Sequence, residues 1–255
     1  MSGSLAVVGL GPGDPDWITP ETTAILAAAE EVLGYGPYLA RLGPPRDGQR
    51  RHASDNREEI ARARHALDLA AAGRRVAVVS GGDPGVFAMA SAVFEAMEDG
   101  DPAWRALDVT VHPGVTAVLA AAARVGAPLG HDFCVVSLSE NLKPWDLVLR
   151  RLDAAVAGDF VLALYNVASR ARPWQLGAAF DRLRQSGRTG GTPVVLAAAV
   201  GRADERIVRA TLADVDPAMA DMRTLVLVGS SRTRCLARPD GRPPFVYTPR
   251  RVDPE

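Results

Sequence analysis

Leu5-Ala6-Val7-Val8-Gly9-Leu10-Gly11-Pro12-Gly13-Asp14, near the start of a 255-residue chain, decides how the rest is read. Its first half is a short apolar run closed by glycine, the pattern of a strand buried on both faces. Its second half sets glycines and a proline where that strand ends, so the main chain comes close to something there. A dinucleotide-binding fingerprint looks similar, but three features oppose it. Asp14 stands where the fingerprint has its last glycine, the helix start at Thr19 lies well beyond Gly13, and Pro12 lacks the N–H a pyrophosphate would use. No Gly-Lys-Ser/Thr follows, so the segment is not a P-loop. What remains is either a ligand loop at the carboxyl end of a strand or a plain turn.

Working outward, Thr19-Pro20-Glu21 offers an N-cap, a proline at the first helical position and an acid in the first turn. Ile60, Ala63, Leu67 and Ala71 recur at helical spacing, predicting an amphipathic helix over 55–72 with Asp55 and Glu58 as a capping box. Arg75–Ser80 reads as a strand, followed by a helix from about Val86 to Met97 and a strand at Leu107–His112. Further strands are expected at Phe133–Ser137, Phe160–Tyr165, Val194–Val200, Ile207–Thr211 and Thr224–Val228, with helices over Trp145–Val156 and Pro173–Gln185. Strand and helix alternate early, and strands crowd together late. The expectation is an α/β protein of two α/β domains, a parallel-sheet domain over 1–114 and a mixed-sheet domain over 115–255.

Two more strand ends carry similar punctuation: Ser80-Gly81-Gly82-Asp83-Pro84-Gly85, and Pro113-Gly114-Val115-Thr116-Ala117. Asp83 is either a carboxylate beside a ligand or a helix cap, and Thr116 likewise caps a helix or faces a ligand. Three such ends would lie along one edge of a sheet, which is harder to assign to chance than any one of them.

Composition narrows the partners. A net charge of −1 and a single lysine, Lys143, argue against nucleic acid and leave one residue for Schiff-base chemistry. Cys134 and Cys235 form no CxxC, and the four histidines have no metal-ligand spacing, so no metal is expected. No apolar run reaches the ~18 residues of a membrane span and no basic leader opens the chain, so a reducing cytoplasm is the expected compartment.

The three loops, in this order, resemble those of the tetrapyrrole methylase family, the class III S-adenosylmethionine-dependent methyltransferases, and the resemblance extends over nearly the whole chain. Later segments are similar to the branch of that family acting on C-17 of precorrin-3B: Asp132-Phe133, Ser137-Leu138-Ser139-Glu140-Asn141-Leu142, Pro144-Trp145, Leu164-Tyr165-Asn166, Ala199-Val200-Gly201-Arg202, Val226–Ser231 and Thr248-Pro249-Arg250. Glu140-Asn141 departs from an Asp expected after Ser139, and Val167 from a Pro that often follows Tyr-Asn.

The resemblance implies S-adenosylmethionine held in a cleft between two domains, S-adenosylhomocysteine as product, a precorrin substrate in cobalamin biosynthesis, and a homodimer. Carried over by motif position, Leu10, Pro12, Gly81, Asp83, Val86, Thr116 and Ala117 would contact the cofactor from the first domain. Tyr165, Asn166, Ala199 and Thr224 would contact it from the second, while Gly13 and Asp14 would face the substrate. It further implies methylation of C-17 with ring contraction to precorrin-4, the meso carbon C-20 being retained as an acetyl group at C-1. The sulfonium is already activated, so no nucleophilic residue is expected; alignment is the main task.

Ring contraction passes through a hydroxyl and a lactone and makes a general acid or base plausible. The candidates are His131, Asp132, Ser137, Ser139 and Glu140, although His131-Asp132 also reads as a turn with a solvated histidine. For the substrate's carboxylates the candidates are Arg50, Arg51, Arg57, Arg170 and Arg172, against the alternative of a solvated charge run. Other readings are methylation of another precorrin position, of uroporphyrinogen III, of diphthine or of an RNA ribose; a non-catalytic tetrapyrrole-binding module; and a nicotinamide dehydrogenase. Whether the macrocycle is metal-free or holds cobalt stays open.

Overall fold

The computed structural model describes residues 3–169 and 172–251, which leaves Arg170 outside the described residues. The chain divides into two compact units, Met1–Thr116 and Ala117–Glu255.

The first unit is built on five parallel strands: β1 (Ser4–Gly9), β2 (Glu31–Tyr35), β3 (Arg50–Ser54), β4 (Arg75–Ser80) and β5 (Asp108–His112), in spatial order β3-β2-β4-β1-β5. Its helices are α1 (Pro20–Ala28), the single turn α2 (Gly36–Leu39), α3 (Glu59–Ala71) and α4 (Met89–Asp99). Strand residues alternate between two apolar layers. Leu5, Val7, Leu33, Val76 and Val78 pack against α3 and α4, while Val8, Val32, Ala77 and Val79 pack against the α1 and α2 side. That double burial is why β1 and β4 read as unbroken apolar runs.

Thr19 caps α1, its hydroxyl accepting from the Thr22 N–H at 3.1 Å. Two helix starts differ from expectation. The α3 helix begins at Glu59: Glu58 accepts from the Asp55 N–H at 2.7 Å, one arm of a capping box, but Asp55 turns its own carboxylate to the Asn56 N–H. The α4 helix begins at Met89 because Phe87 takes φ +52° and Ala88 is extended, which no helical turn accommodates.

The second unit holds α5 (Ala117–Val125), β6 (Gly126–Ala127), β7 (Phe133–Ser137), α6 (Trp145–Ala157), β8 (Val161–Tyr165), α7 (Gln175–Gln185), β9 (Pro193–Ala198), β10 (Arg206–Thr211), β11 (Thr224–Val228), β12 (Arg234–Leu236) and β13 (Phe245–Tyr247). The main sheet runs β10-β9-β11-β8-β7, with β7 and β8 parallel and the remaining pairs antiparallel. Leu152, Leu176, Phe180 and Leu183 from α6 and α7 bury against Leu162, Leu164, Leu196 and Val226 of this sheet. A small sheet, β12-β13-β6, has no counterpart in the sequence expectation. Both units are thus α/β, one with a parallel sheet and one with a mixed sheet. Among the described residues, no helix is long and apolar enough to cross a membrane, and no group of three or more His, Cys, Asp or Glu is placed to hold a metal ion.

Candidate functional site

In the first unit, β1 lies between β4 and β5, with Gly9 opposite Ser80 and Val8 opposite His112. The three punctuated loops therefore leave the sheet side by side. The chain leaves β1 toward α1 on one face and β4 toward α4 on the other, an arrangement that opens a crevice at the carboxyl ends of adjacent strands.

The loops are tied to each other through main chain. Gly11 N–H donates to Gly82 O at 3.2 Å and Gly82 N–H to Gly11 O at 2.9 Å, both residues with positive φ. A Cβ on Gly114 would sit 2.3 Å from Gly82 O, and one on Gly9 would sit 2.6 Å from the same atom. Loop-to-loop packing thus accounts for these glycines before any ligand is considered.

Asp83 joins the second loop to the third: one carboxylate oxygen accepts from Gly85 N–H at 2.8 Å, the other from Gly114 N–H at 3.0 Å. It does not cap α4, whose N-cap is Ala88. Arg41, which sequence reasoning missed, donates to Leu10 O at 2.8 Å, Gly11 O at 3.0 Å and Gly13 O at 3.2 Å. Tyr38 lies under Gly81 so closely that a Cβ there would meet its ring at 2.6 Å. Both sit at the α2 turn, whose proximity to the loops has no local sequence signal.

Leu10 is wholly buried, with its N–H donating to Ser80 O at 2.9 Å, so it supports the loop from beneath. Asp14 accepts from Asp16 N–H at 3.0 Å and starts a short 3₁₀ turn. Val86 precedes the left-handed Phe87, and Thr116 ends the first unit while Ala117 opens the second.

In the second unit, one edge of the main sheet gathers the carboxyl ends of β7, β8 and β9 and the amino end of β11, since Ser137 lies opposite Tyr165 and Thr224 opposite Ala198. Tyr165 Oη accepts from Val118 N–H at 2.9 Å, satisfying one of the unpaired amides at the start of α5. Asn166 is left-handed at φ +53° and its amide donates to Ser137 Oγ at 2.9 Å; Arg172 donates to Ser139 Oγ at 3.1 Å. Ala199 is also left-handed, at φ +52°, and its N–H donates to Arg223 O at 3.1 Å. Thr224 is buried, exchanging hydrogen bonds with Asp221. Burial pushes the Asp221 carboxyl up, but the Thr224 hydroxyl together with the Arg223 N–H and guanidinium outweighs it and holds the group below its ordinary range.

Other expected residues lie apart. His131 and Asp132 precede β7, while Ser139 and Glu140 follow it, roughly 17 Å apart for a five-residue strand at about 3.3 Å per residue. Arg50 starts β3 and binds Glu31, which is fully buried beneath Arg50, His52 and Arg74. The Arg50 guanidinium, against the cost of burial and with help from His52, holds the Glu31 carboxyl at about 2. Arg57 is exposed, in the loop after β3. Arg50 and Arg51 are strand residues and not loop residues as the sequence suggested.

Comparison with known proteins agrees with this architecture. The family model of the Tetrapyrrole (Corrin/Porphyrin) Methylases matches residues 4–216. A Sinorhizobium relative named precorrin-3B C(17)-methyltransferase is 56% identical over 98% of this chain and 97% of its own. The crystal structure of the methyltransferase CobJ superposes with a TM-score of 0.92 at 50% identity, covering 97% of this chain and 100% of that one. A Thermus thermophilus uroporphyrin-III C-methyltransferase, solved with S-adenyl homocysteine, shares the fold at a TM-score of 0.67 and 24% identity, over 89% of this chain and 97% of that one. The chain is a methyltransferase and belongs to the tetrapyrrole methylase family.

Proposed function

We propose that this methyltransferase uses S-adenosylmethionine to methylate C-17 of precorrin-3B and contracts the ring to precorrin-4. The observation that carries the reading is the fusion of three glycine loops, through Gly11, Gly82, Asp83 and Gly114, into one rigid edge. The named function of the Sinorhizobium relative supports the position methylated.

The residues present fit the cofactor. Each Asp83 oxygen accepts one internal hydrogen bond and keeps a lone pair for a ribose hydroxyl or the ammonium. Gly81 and Val86 flank that carboxylate along the chain, Pro12 belongs to the first loop, and Thr116 and Ala117 follow Gly114 in the third. Asn166 and Ala199 are held in a left-handed conformation that non-glycine residues adopt at a cost of about 1 kcal/mol, and such strain clusters at ligand sites. Tyr165 and Thr224 share their edge. When bound, the cofactor supplies a methyl group already activated on sulfonium. The protein's part is to hold donor and acceptor carbon in line and to exclude water.

For the acid or base of ring contraction, Ser139 and Glu140 are the stronger pair, because they share an edge with Tyr165 and Asn166. Arg172, held by Ser139, suits a substrate carboxylate, and Gly13 and Asp14 lie beside the first loop. A cytoplasmic homodimer belongs to the same proposal. Incubation with precorrin-3B and methyl-labelled S-adenosylmethionine, read by product mass and label position, is the test. Label at any carbon but C-17 overturns the assignment.

A further inference from the structure

We infer that the cavity on the α1 and α2 side of the first sheet is a carboxylate-binding subsite, built on Arg51 and Arg46. The inference rests on reading the substrate as a precorrin, whose acetate and propionate arms supply the carboxylates.

The cavity measures about 460 Å³. Part of its wall is apolar: Ile18, Leu26 and Leu42 line it and pack against the buried layer of Val8, Val32, Ala77 and Val79. Its charged groups are three guanidiniums, Arg41, Arg46 and Arg51, and no acid is among the residues that line it. Asp14 and Asp16 stand beside Pro15 in the sequence and Asp47 beside Arg46, but all three lie outside the lining. An apolar wall under cations without an acid favours an anion carried on an apolar stem.

Arg51 stands opposite Val32 in the register of β2 and β3, so its side chain leaves the sheet on the same face as Val32. Its Nε is shielded from water and has no hydrogen-bond partner. Among the described residues, Arg51 is in no ion pair either. Removing a guanidinium N–H from water without a partner is costly, so such a group is retained where a partner arrives. Arg46 supplies the second fork. One terminal nitrogen donates to Ala28 O at 3.1 Å and Ala29 O at 3.0 Å, where α1 ends, and so holds the group in place. Its Nε and its other terminal nitrogen bond to none of the described residues. Two guanidiniums with N–H groups to spare suit a planar pair of oxygens, the shape this fork binds.

The cavity also adjoins the first glycine loop. Its third guanidinium, Arg41, is the one that donates to the carbonyls of Leu10, Gly11 and Gly13. Pro15 and Ile18, which line the cavity, belong to the segment that follows the same loop. A carboxylate arm seated at Arg46 and Arg51 would therefore be registered against that loop, and the rest of the macrocycle with it.

Binding of precorrin-3B without S-adenosylmethionine, followed by absorbance, tests the site in wild-type protein, Arg51→Gln, Arg46→Gln and Arg64→Gln. Arg64 is an exposed arginine of α3, across the sheet, and controls for net charge. The expected result is a dissociation constant weakened roughly tenfold in Arg51→Gln and in Arg46→Gln and unchanged in Arg64→Gln. Affinity for S-adenosylhomocysteine should stay the same in Arg51→Gln. Arg46→Gln also frees the end of α1, whereas the Arg51 Nε makes no internal bond, so the Arg51 variant keeps the test decisive. Citrate, a tricarboxylate, gives a second readout against sodium chloride at equal ionic strength. It should raise the thermal midpoint of wild-type protein and not that of Arg51→Gln.

Unchanged precorrin affinity in Arg51→Gln overturns the subsite, and so does an equal loss in Arg64→Gln, which would make the effect one of net charge. A loss confined to S-adenosylhomocysteine also overturns it, because the anion would then be the cofactor's own carboxylate. If wild-type protein binds precorrin-3B yet transfers no methyl group to it, the reaction reading fails while the variants still decide the subsite. If it binds no precorrin-3B at all, the substrate reading fails and citrate decides: a midpoint raised equally in wild type and Arg51→Gln, or in neither, overturns the subsite.

Discussion

The two units solve the same problem with opposite chemistry. In the first, the sheet edge is made of glycine main chain packed against glycine main chain, with Asp83 as a single side-chain tie. In the second, the edge is made of side chains, Ser137, Tyr165, Asn166 and Thr224, around two non-glycine residues in left-handed conformations. At Gly9, Gly81 and Gly114 the first edge has no room for an added atom; the second has already accepted strain. Substitutions of opposite sense should therefore separate them.

The largest effect is expected from Gly114→Ala, whose Cβ would sit 2.3 Å from Gly82 O, a backbone atom that cannot rotate away. A loss of about 3 kcal/mol in urea unfolding is expected, together with loss of S-adenosylhomocysteine binding in calorimetry. Wild-type stability in this variant would break the comparison. Next comes Asp83→Ala, which leaves two backbone N–H groups without their carboxylate and should cost about 2 kcal/mol. Thermal unfolding measures it, and a weakened cofactor affinity that outlasts restored stability in osmolyte would separate binding from folding.

Acid should also distinguish the units through Glu31. Its carboxyl is held at about 2 in the folded chain against an ordinary 4.5, so its contribution is fully present above the unfolded value. That contribution is lost as pH falls toward 2. Discounted for the exposure of Arg50, the loss is about 2 kcal/mol. Glu31→Gln should flatten the acid limb of the stability profile by that amount.

The smallest effect has the opposite sign. Ala199→Gly relieves a left-handed alanine and should leave stability unchanged or raise it by up to about 1 kcal/mol. A clear loss would mean that its methyl group packs against something essential.

The contrast also explains what the sequence revealed. Strands β1 and β4 are buried on both faces, so their apolar runs stand out, and glycine punctuation marks their ends. Strand β3 is the outer strand of its sheet, and Arg50-Arg51-His52-Ala53-Ser54 carries no period that names it. Without β3, the pairing of Arg50 with Glu31 was invisible. Arg41 and Tyr38 escaped because they act on loops about 30 and more than 40 residues away along the chain. The second edge was legible only through family resemblance, since nothing in Asn166 or Ala199 by itself announces a positive φ. His131 and Ser139 are near in sequence, but an intervening strand carries them to opposite ends of the sheet.

The reciprocal hydrogen bonds between Gly11 and Gly82 make two turns, distant in sequence, open and close as one. Their amides should exchange with solvent deuterium as slowly as those of the strands beneath, where ordinary glycine turns exchange at once. An inserted residue in either turn would shift the register of both. The stretch around Gly43 and Gly48, where an added Cβ meets nothing within 4 Å, is a place in this unit where the chain has room to lengthen.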